Sequence, residues 1–191
     1  MRGMGRAAVT GMLALALSSC VEVDGELAAN GAVTLRYTYD PPSHATFKSE
    51  RARLGSPHVR VENLERDRSL PDYPPHEFVT ATLAVDDVRQ LSSAPAFANV
   101  QVDRDLAAGR LQVAFPGLDP ESRKRIAARS DEAIDHRALR LHLLLPGPVT
   151  RAEPDATVDG RSVTWTLTFR QVAAFGDTVR LAVAWTPAAG S

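Results

Sequence analysis

The sequence predicts an α+β fold, a mainly antiparallel sheet with two or three inserted helices, on three kinds of observation. Several stretches alternate apolar and polar residues with period two, the mark of half-buried strands. Turn dipeptides sit between several of them, and cap residues open segments without that alternation.

The elements follow in chain order. A short first strand around Val21 to Leu27 is joined by Asn30-Gly31 to a second, in which Val33, Leu35, Tyr37 and Tyr39 share one face. Ser43 is the expected cap of a helix ending before Gly55, with Phe47 and Leu54 on it. Residues 63 to 77 are rich in charge and contain Pro71, Pro74 and Pro75, which reads as a long surface loop. Val79, Ala81, Leu83 and Val85 make the next strand, and Asp86 starts a shorter helix through Val88 and Leu91. Val100 and Val102 turn at Ala107-Ala108-Gly109 into Leu111, Val113 and Phe115. Asp119-Pro120 supplies an N-cap with proline at the first helical position, and no breaker follows before about Ala138. Leu139, Leu141, Leu143 and Leu145 then alternate with Arg140 and His142. Asp159-Gly160 forms a hairpin turn before Val163, Trp165, Leu167 and Phe169, and Val179 to Trp185 closes the set. Both tryptophans are expected in the core.

The first residues speak to location. Arg2 and Arg6 precede an almost wholly apolar run over residues 7 to 17, the layout of a secretory signal peptide. The run is too short for the roughly 20 apolar residues a membrane span requires. It ends in Leu17-Ser18-Ser19-Cys20, which resembles the lipobox of bacterial lipoproteins. That resemblance implies cleavage before Cys20 and acylation of its thiol, the only cysteine in the chain. One cysteine cannot form an intrachain disulfide, and a cysteine bearing two or three acyl chains is held firmly, at about 0.8 kcal/mol per buried CH₂. The expected organisation is therefore a signal peptide over residues 1–19 and a single α+β domain over residues 20–191. The domain is tethered through Cys20 on the outer side of the cytoplasmic membrane. Residues 171 to 191 offer no second span. Val21 follows the cysteine where a retention signal would place aspartate, so the outer membrane is expected if the source has two.

Removing residues 1–19 takes two arginines and no acids from 22 basic and 23 acidic residues, leaving a formal charge of −3. That balance argues against a nucleic-acid partner.

The last third, LRLHLLLPGPVTRAEPDATVDGRSVTWTLTF, resembles the C-terminal pattern of the LppM domain family of bacterial envelope lipoproteins. The likeness lies in Leu145-Pro146-Gly147, the short strand with Val149, the Asp159-Gly160 turn and Val163-Thr164-Trp165. It implies an α+β lipoprotein domain at a membrane surface, with no defined catalytic centre to transfer. The chain departs from members that continue into a C-terminal membrane helix, since it stops soon after Trp185.

Catalytic templates find no match. His44, His58, His76, His136 and His142 are scattered without metal-ligand spacing, so no metal or cofactor is expected. No G-x-S-x-G elbow and no glycine-rich phosphate loop occurs. Asp86-Asp87 and Asp131-Glu132 read as caps or solvated faces. Arg123, Lys124, Arg125 and Arg129 on the helix after Asp119 form the candidate contact for lipid head groups or a partner, against Asp131, Glu132 and Asp135 as balancing acids.

The leading expectation is a non-enzymatic envelope lipoprotein that binds a lipid, an amphiphile or another envelope component. The alternative is an assembly subunit docking onto an envelope protein, and an unrecognised envelope hydrolase stands third. An apolar pocket would favour the first, a flat apolar patch the second, and a cleft of converging titratable groups the third.

Overall fold

The computed structural model describes residues 21–68, 77–129 and 135–187. Among these residues, eleven strands fall into two sheets of seven and four, mostly antiparallel, with few helices. The single sheet expected from the alternation is thus two, because alternation gives each strand a buried face without saying which strands pair.

In the larger sheet, β1 (Val21–Leu27) and β2 (Val33–Tyr39) form the first hairpin. Outward from β2 lie β4 (Glu77–Val85) and the edge strand β3 (Val59–Arg68). On its other side β1 runs parallel to β7 (Arg137–Leu144), pairing Val21 with Leu139 and Gly25 with Leu143. Beyond β7 come β10 (Ser162–Thr168) and the short β9 (Thr157–Asp159). The smaller sheet runs β5 (Gln101–Asp105), β6 (Arg110–Pro116), β11 (Thr178–Trp185), β8 (Val149–Glu153). The first strand therefore sits in the middle of its sheet, held on both sides.

Three α-helices interrupt the strands among the described residues: α1 (Phe47–Leu54), α2 (Pro120–Ala127) and α3 (Phe169–Ala174). Thr46, not Ser43, caps α1 through a reciprocal box in which the Ser49 N–H donates to Thr46 Oγ1 at 3.1 Å and the Thr46 N–H to Ser49 Oγ at 2.8 Å. Asp119 caps α2 as its position before proline predicts, but α2 ends at Ala127 rather than near Ala138, and Arg137 already belongs to β7. Instead of a helix started by Asp86, Asp87 caps a 3₁₀ segment, Val88–Ser93. The expected loop from residue 63 is strand β3 as far as Arg68, and β4 begins at Glu77. The β9–β10 turn is Gly160-Arg161, one residue later than Asp159-Gly160. Only Gly160 has positive φ, at 57°, which matches a type II′ rather than a type I′ turn.

The two sheets bury their apolar faces against each other. Trp165 and Trp185 are both core residues, and the Trp165 indole N–H donates to the Pro154 carbonyl at 3.2 Å. On the outer face of the larger sheet, Asp24 of β1 accepts from Arg140 of β7 at 2.9 Å, and Glu22 pairs with Arg137. The alternation of β1 and β7 thus resolves into an apolar inner face and an ion-paired outer one.

Candidate functional site

The inner face of β1 carries Val21, Val23, Gly25 and Leu27, where one position has no side chain at all. Beside it stand Val33, Leu35 and Tyr37 of β2 and Leu139, Leu141 and Leu143 of β7. The facing sheet presents Val102 of β5 with Leu111, Val113 and Phe115 of β6. Trp165 and Trp185, both buried, are not among these residues, and the space between these faces is not filled. A cavity of about 140 Å³ remains, whose walls also include Val88, Leu91, Phe97, Val100, Ala138 and Val172.

Its lining is aliphatic or aromatic throughout, and the only side chain in it with a polar atom is Tyr37. Tyr37 stacks on Tyr39 with centroids 4.6 Å apart and meets Phe97 edge-on at 5.3 Å. Burial pushes its phenol up to about 12, so the hydroxyl stays neutral across the physiological range. Aliphatic cavities of about this size stay dry and accept benzene-sized apolar groups.

The polar cluster nearest this wall is built into the scaffold. Glu50 of α1 is buried, accepts from Arg53 Nη2 at 2.6 Å and takes the Tyr39 hydroxyl. Burial would raise the Glu50 carboxyl, but the bonds from Arg53 and Tyr39 outweigh it and hold its pKa below the ordinary value. Arg53 also lies over the Tyr39 ring, 4.8 Å from its centroid. This arrangement fixes α1 against β2 and leaves no charge in the cavity wall.

A second concavity, about 670 Å³, crosses the outer face of the smaller sheet over Ala182 and Ala184. It is open and polar, walled by Asp103, Asp105, Arg110, Arg151 and Glu153.

The residues singled out in the sequence fare differently. Cys20 lies outside the described residues. Arg123, Lys124 and Arg125 all fall on α2, each in a bond within the protein: Arg123 to Asp177 at 2.6 Å, Lys124 to Glu121 at 3.0 Å, and Arg125 to the Ser122 hydroxyl at 2.8 Å. Arg129 lies exposed just beyond the helix. The cluster is thus largely spoken for locally, although Lys124 and Arg125 keep exposed side chains. Among the described residues, no group of three or more His, Cys, Asp or Glu converges, and no helix is long and apolar enough to cross a membrane. The large hydrophobics exposed there are Phe47 and Val158, on separate elements, and Phe47 lies beneath Arg66.

No protein-family model matches the chain, and no curated protein does. Among solved structures it is similar to the NMR structure of the folded domain of LppM from Mycobacterium tuberculosis. The TM-score is 0.44 and the identity 14%, over 97% of this chain and 98% of that one. A likeness at that level carries no argument about function.

The cavity was hidden from the sequence because each of its walls looks like ordinary core. Val, Leu and Gly at alternate positions predict a buried face, whereas the unfilled space depends on how two distant sheets meet. The one local signal was Gly25, a residue that weakens a strand unless something approaches closely there.

Proposed function

We propose that this domain is an envelope lipoprotein, tethered through Cys20 after loss of residues 1–19, whose inter-sheet cavity binds the apolar chain of a lipid or amphiphile. The observation that carries the binding reading is the cavity between the sheets, lined by apolar side chains with Tyr37 alone bearing a polar atom. Such a lining, whose one titratable group is a phenol kept neutral by burial, recognises a ligand chiefly by shape and dehydration. Burying about six methylenes contributes about 5 kcal/mol, in the range of a millimolar to sub-millimolar dissociation constant. That is enough for a protein held at a membrane, because tethering raises the local concentration of its ligand. The scarcity of exposed apolar surface among the described residues also favours a ligand over a flat docking partner.

Native mass spectrometry of the detergent-extracted full-length protein tests the reading. The expected spectrum shows Cys20 as the acylated N-terminus and a further, non-covalent adduct of amphiphile mass. An unmodified Cys20 contradicts the anchor. A bare protein that also fails to take up an added single-chain amphiphile contradicts the cavity's role.

A further inference from the structure

On three of the strands that wall the cavity, β1, β7 and β6, burial grades in one direction, whereas Tyr37 of β2 and the neighbouring Ala138 and Val172 are buried. Along β1, Val21 and Val23 are half-buried, and Gly25 and Leu27 are buried. On β7, Leu139 is half-buried while Leu141 and Leu143 are buried. On β6 of the facing sheet, Phe115 and Val113 are half-buried and Leu111 is buried. The cavity therefore opens at the Val21 end and closes toward Leu27, Val33 and Leu111. The closed end is tied shut: the Val88 N–H donates to the Gly31 carbonyl at 2.8 Å, and Arg104 of β5 is bonded to Asp87.

We infer that one acyl chain of a membrane amphiphile enters this cavity tail first at the Val21 end, and that Gly25, with Leu35 and Leu143 lying over it, sets how much of the chain is accepted. The inference rests on the lipid-binding reading above and adds direction, stoichiometry and a gauge. Direction follows from covalent structure, since Val21 at the rim is the residue next to Cys20, the proposed membrane tether. Stoichiometry follows from size and polarity. A volume of about 140 Å³ accommodates part of one chain, and a wall without charged groups leaves the head group outside.

The gauge follows from packing at Gly25. A Cβ added there would stand 2.8 Å from Leu35 Cδ2 and 2.8 Å from Leu143 Cδ2. Both are ends of flexible side chains, so the added carbon would be accommodated by their displacement. Both leucines already line the cavity, so displacing them shortens it. Glycine at this position is what keeps the inner end open, about 13 Å of strand from the rim.

The test is a displacement titration of the full-length protein with lysophosphatidylcholines of hexanoyl, octanoyl, decanoyl and dodecanoyl chains, using wild type, Gly25→Ala and Leu143→Val. Each buried methylene contributes about 0.8 kcal/mol, about fourfold in affinity, so wild-type affinity is expected to climb with chain length and then level off. Gly25→Ala is expected to move the plateau to a shorter chain, lowering the octanoyl affinity while leaving the hexanoyl affinity unchanged. Leu143→Val, which trims a side chain over Gly25, is expected to move it the other way, and it keeps the test alive if Gly25→Ala does not fold. The same plateau in all proteins, or an equal loss at every chain length, overturns the gauge while leaving the cavity as a binding site. Free fatty acids of matched length form the second arm: if they bind and the lysolipids do not, entry from a membrane amphiphile is overturned. If wild type binds no probe in either arm, the lipid-binding reading itself fails.

Discussion

Arg104 and Asp87 form a two-point ion pair across the closed end of the cavity, with Arg104 Nε donating to Oδ1 at 3.0 Å and Nη2 to Oδ2 at 2.8 Å. Arg104 belongs to the smaller sheet, and Asp87 caps the 3₁₀ segment that follows the larger sheet's β4. Arg89 adds a second guanidinium to the same carboxylate at 2.8 Å. The bonds from Arg104, then Arg89, hold the Asp87 carboxyl well below the usual carboxylate range.

Because the folded pKa lies below that of the unfolded chain, about 3.9, the pair stabilises above that pH and its contribution is lost as the pH falls further. Asp87→Asn is expected to lower unfolding stability by about 2 kcal/mol at neutral pH. Urea denaturation of both proteins should show a constant gap from pH 5 to 8 that narrows below about pH 4. A gap independent of acid would show that the charge is not what matters.

Glu50 is the buried charge of the α1 anchor, and its removal strands Arg53 and the Tyr39 hydroxyl. Glu50→Ala is expected to cost about 3 kcal/mol in denaturant unfolding, because a partner charge is left without compensation. Alkaline pH probes the same wall from the other side. With the Tyr37 phenol raised to about 12, its contribution is complete below the unfolded value of about 10 and lost as the pH rises toward 12. Spectrophotometric titration should therefore show Tyr37 ionising late, together with loss of fold.

Gly160 separates backbone strain from steric conflict. It has φ of 57° and no neighbour within 4 Å of where an added Cβ would stand, so Gly160→Ala is expected to cost only the backbone strain of a side chain at that type II′ position, about 2 kcal/mol. Gly109, where the added carbon would stand 2.0 Å from the Trp185 carbonyl oxygen, should tolerate alanine much less. Thermal unfolding of the two variants ranks them directly.

Val113 is half-buried in the cavity wall on β6. Val113→Phe is expected to occupy the free space, keeping or raising the melting temperature while cutting uptake of a fluorescent single-chain amphiphile at least tenfold. Unchanged uptake would place the bound probe elsewhere.

Much of the architecture was legible residue by residue. Val33 to Tyr39 and Val179 to Trp185 alternate cleanly because one face of each is buried and the other solvated, and both are strands. Strand β3 escaped because its buried residues, Val59 and Leu64, fall out of step across a bulge between Val61 and Asn63, and the residues around them are charged as befits an edge. The helix after Asp119 ends at Ala127, sooner than the sequence indicates, because its start is encoded in a cap whereas no proline or glycine marks its end. The parallel pairing of β1 with β7 joins residues more than a hundred positions apart, and no local signal carries it. The candidate site shows the same limit: its lining residues were recognisable as core, but the space between them belongs to the meeting of the sheets. The acylation proposed for Cys20 rests on the local pattern Leu17-Ser18-Ser19-Cys20 alone, and mass measurement tests it.

The lipid-binding reading stands or falls on whether an apolar chain occupies the space between β1, β2 and β7 on one side and β5 and β6 on the other. Methyl NMR of the full-length protein in detergent, titrated with a decanoyl lysophospholipid, reads that occupancy at the walls themselves. Saturable shifts of the Leu35, Val113 and Leu143 methyls are expected, with contacts from the ligand's terminal methyl to Leu35 and Leu143 and none to Val163 or Leu181. Shifts confined to other surfaces, or none at saturating ligand, would mean that the cavity holds no chain.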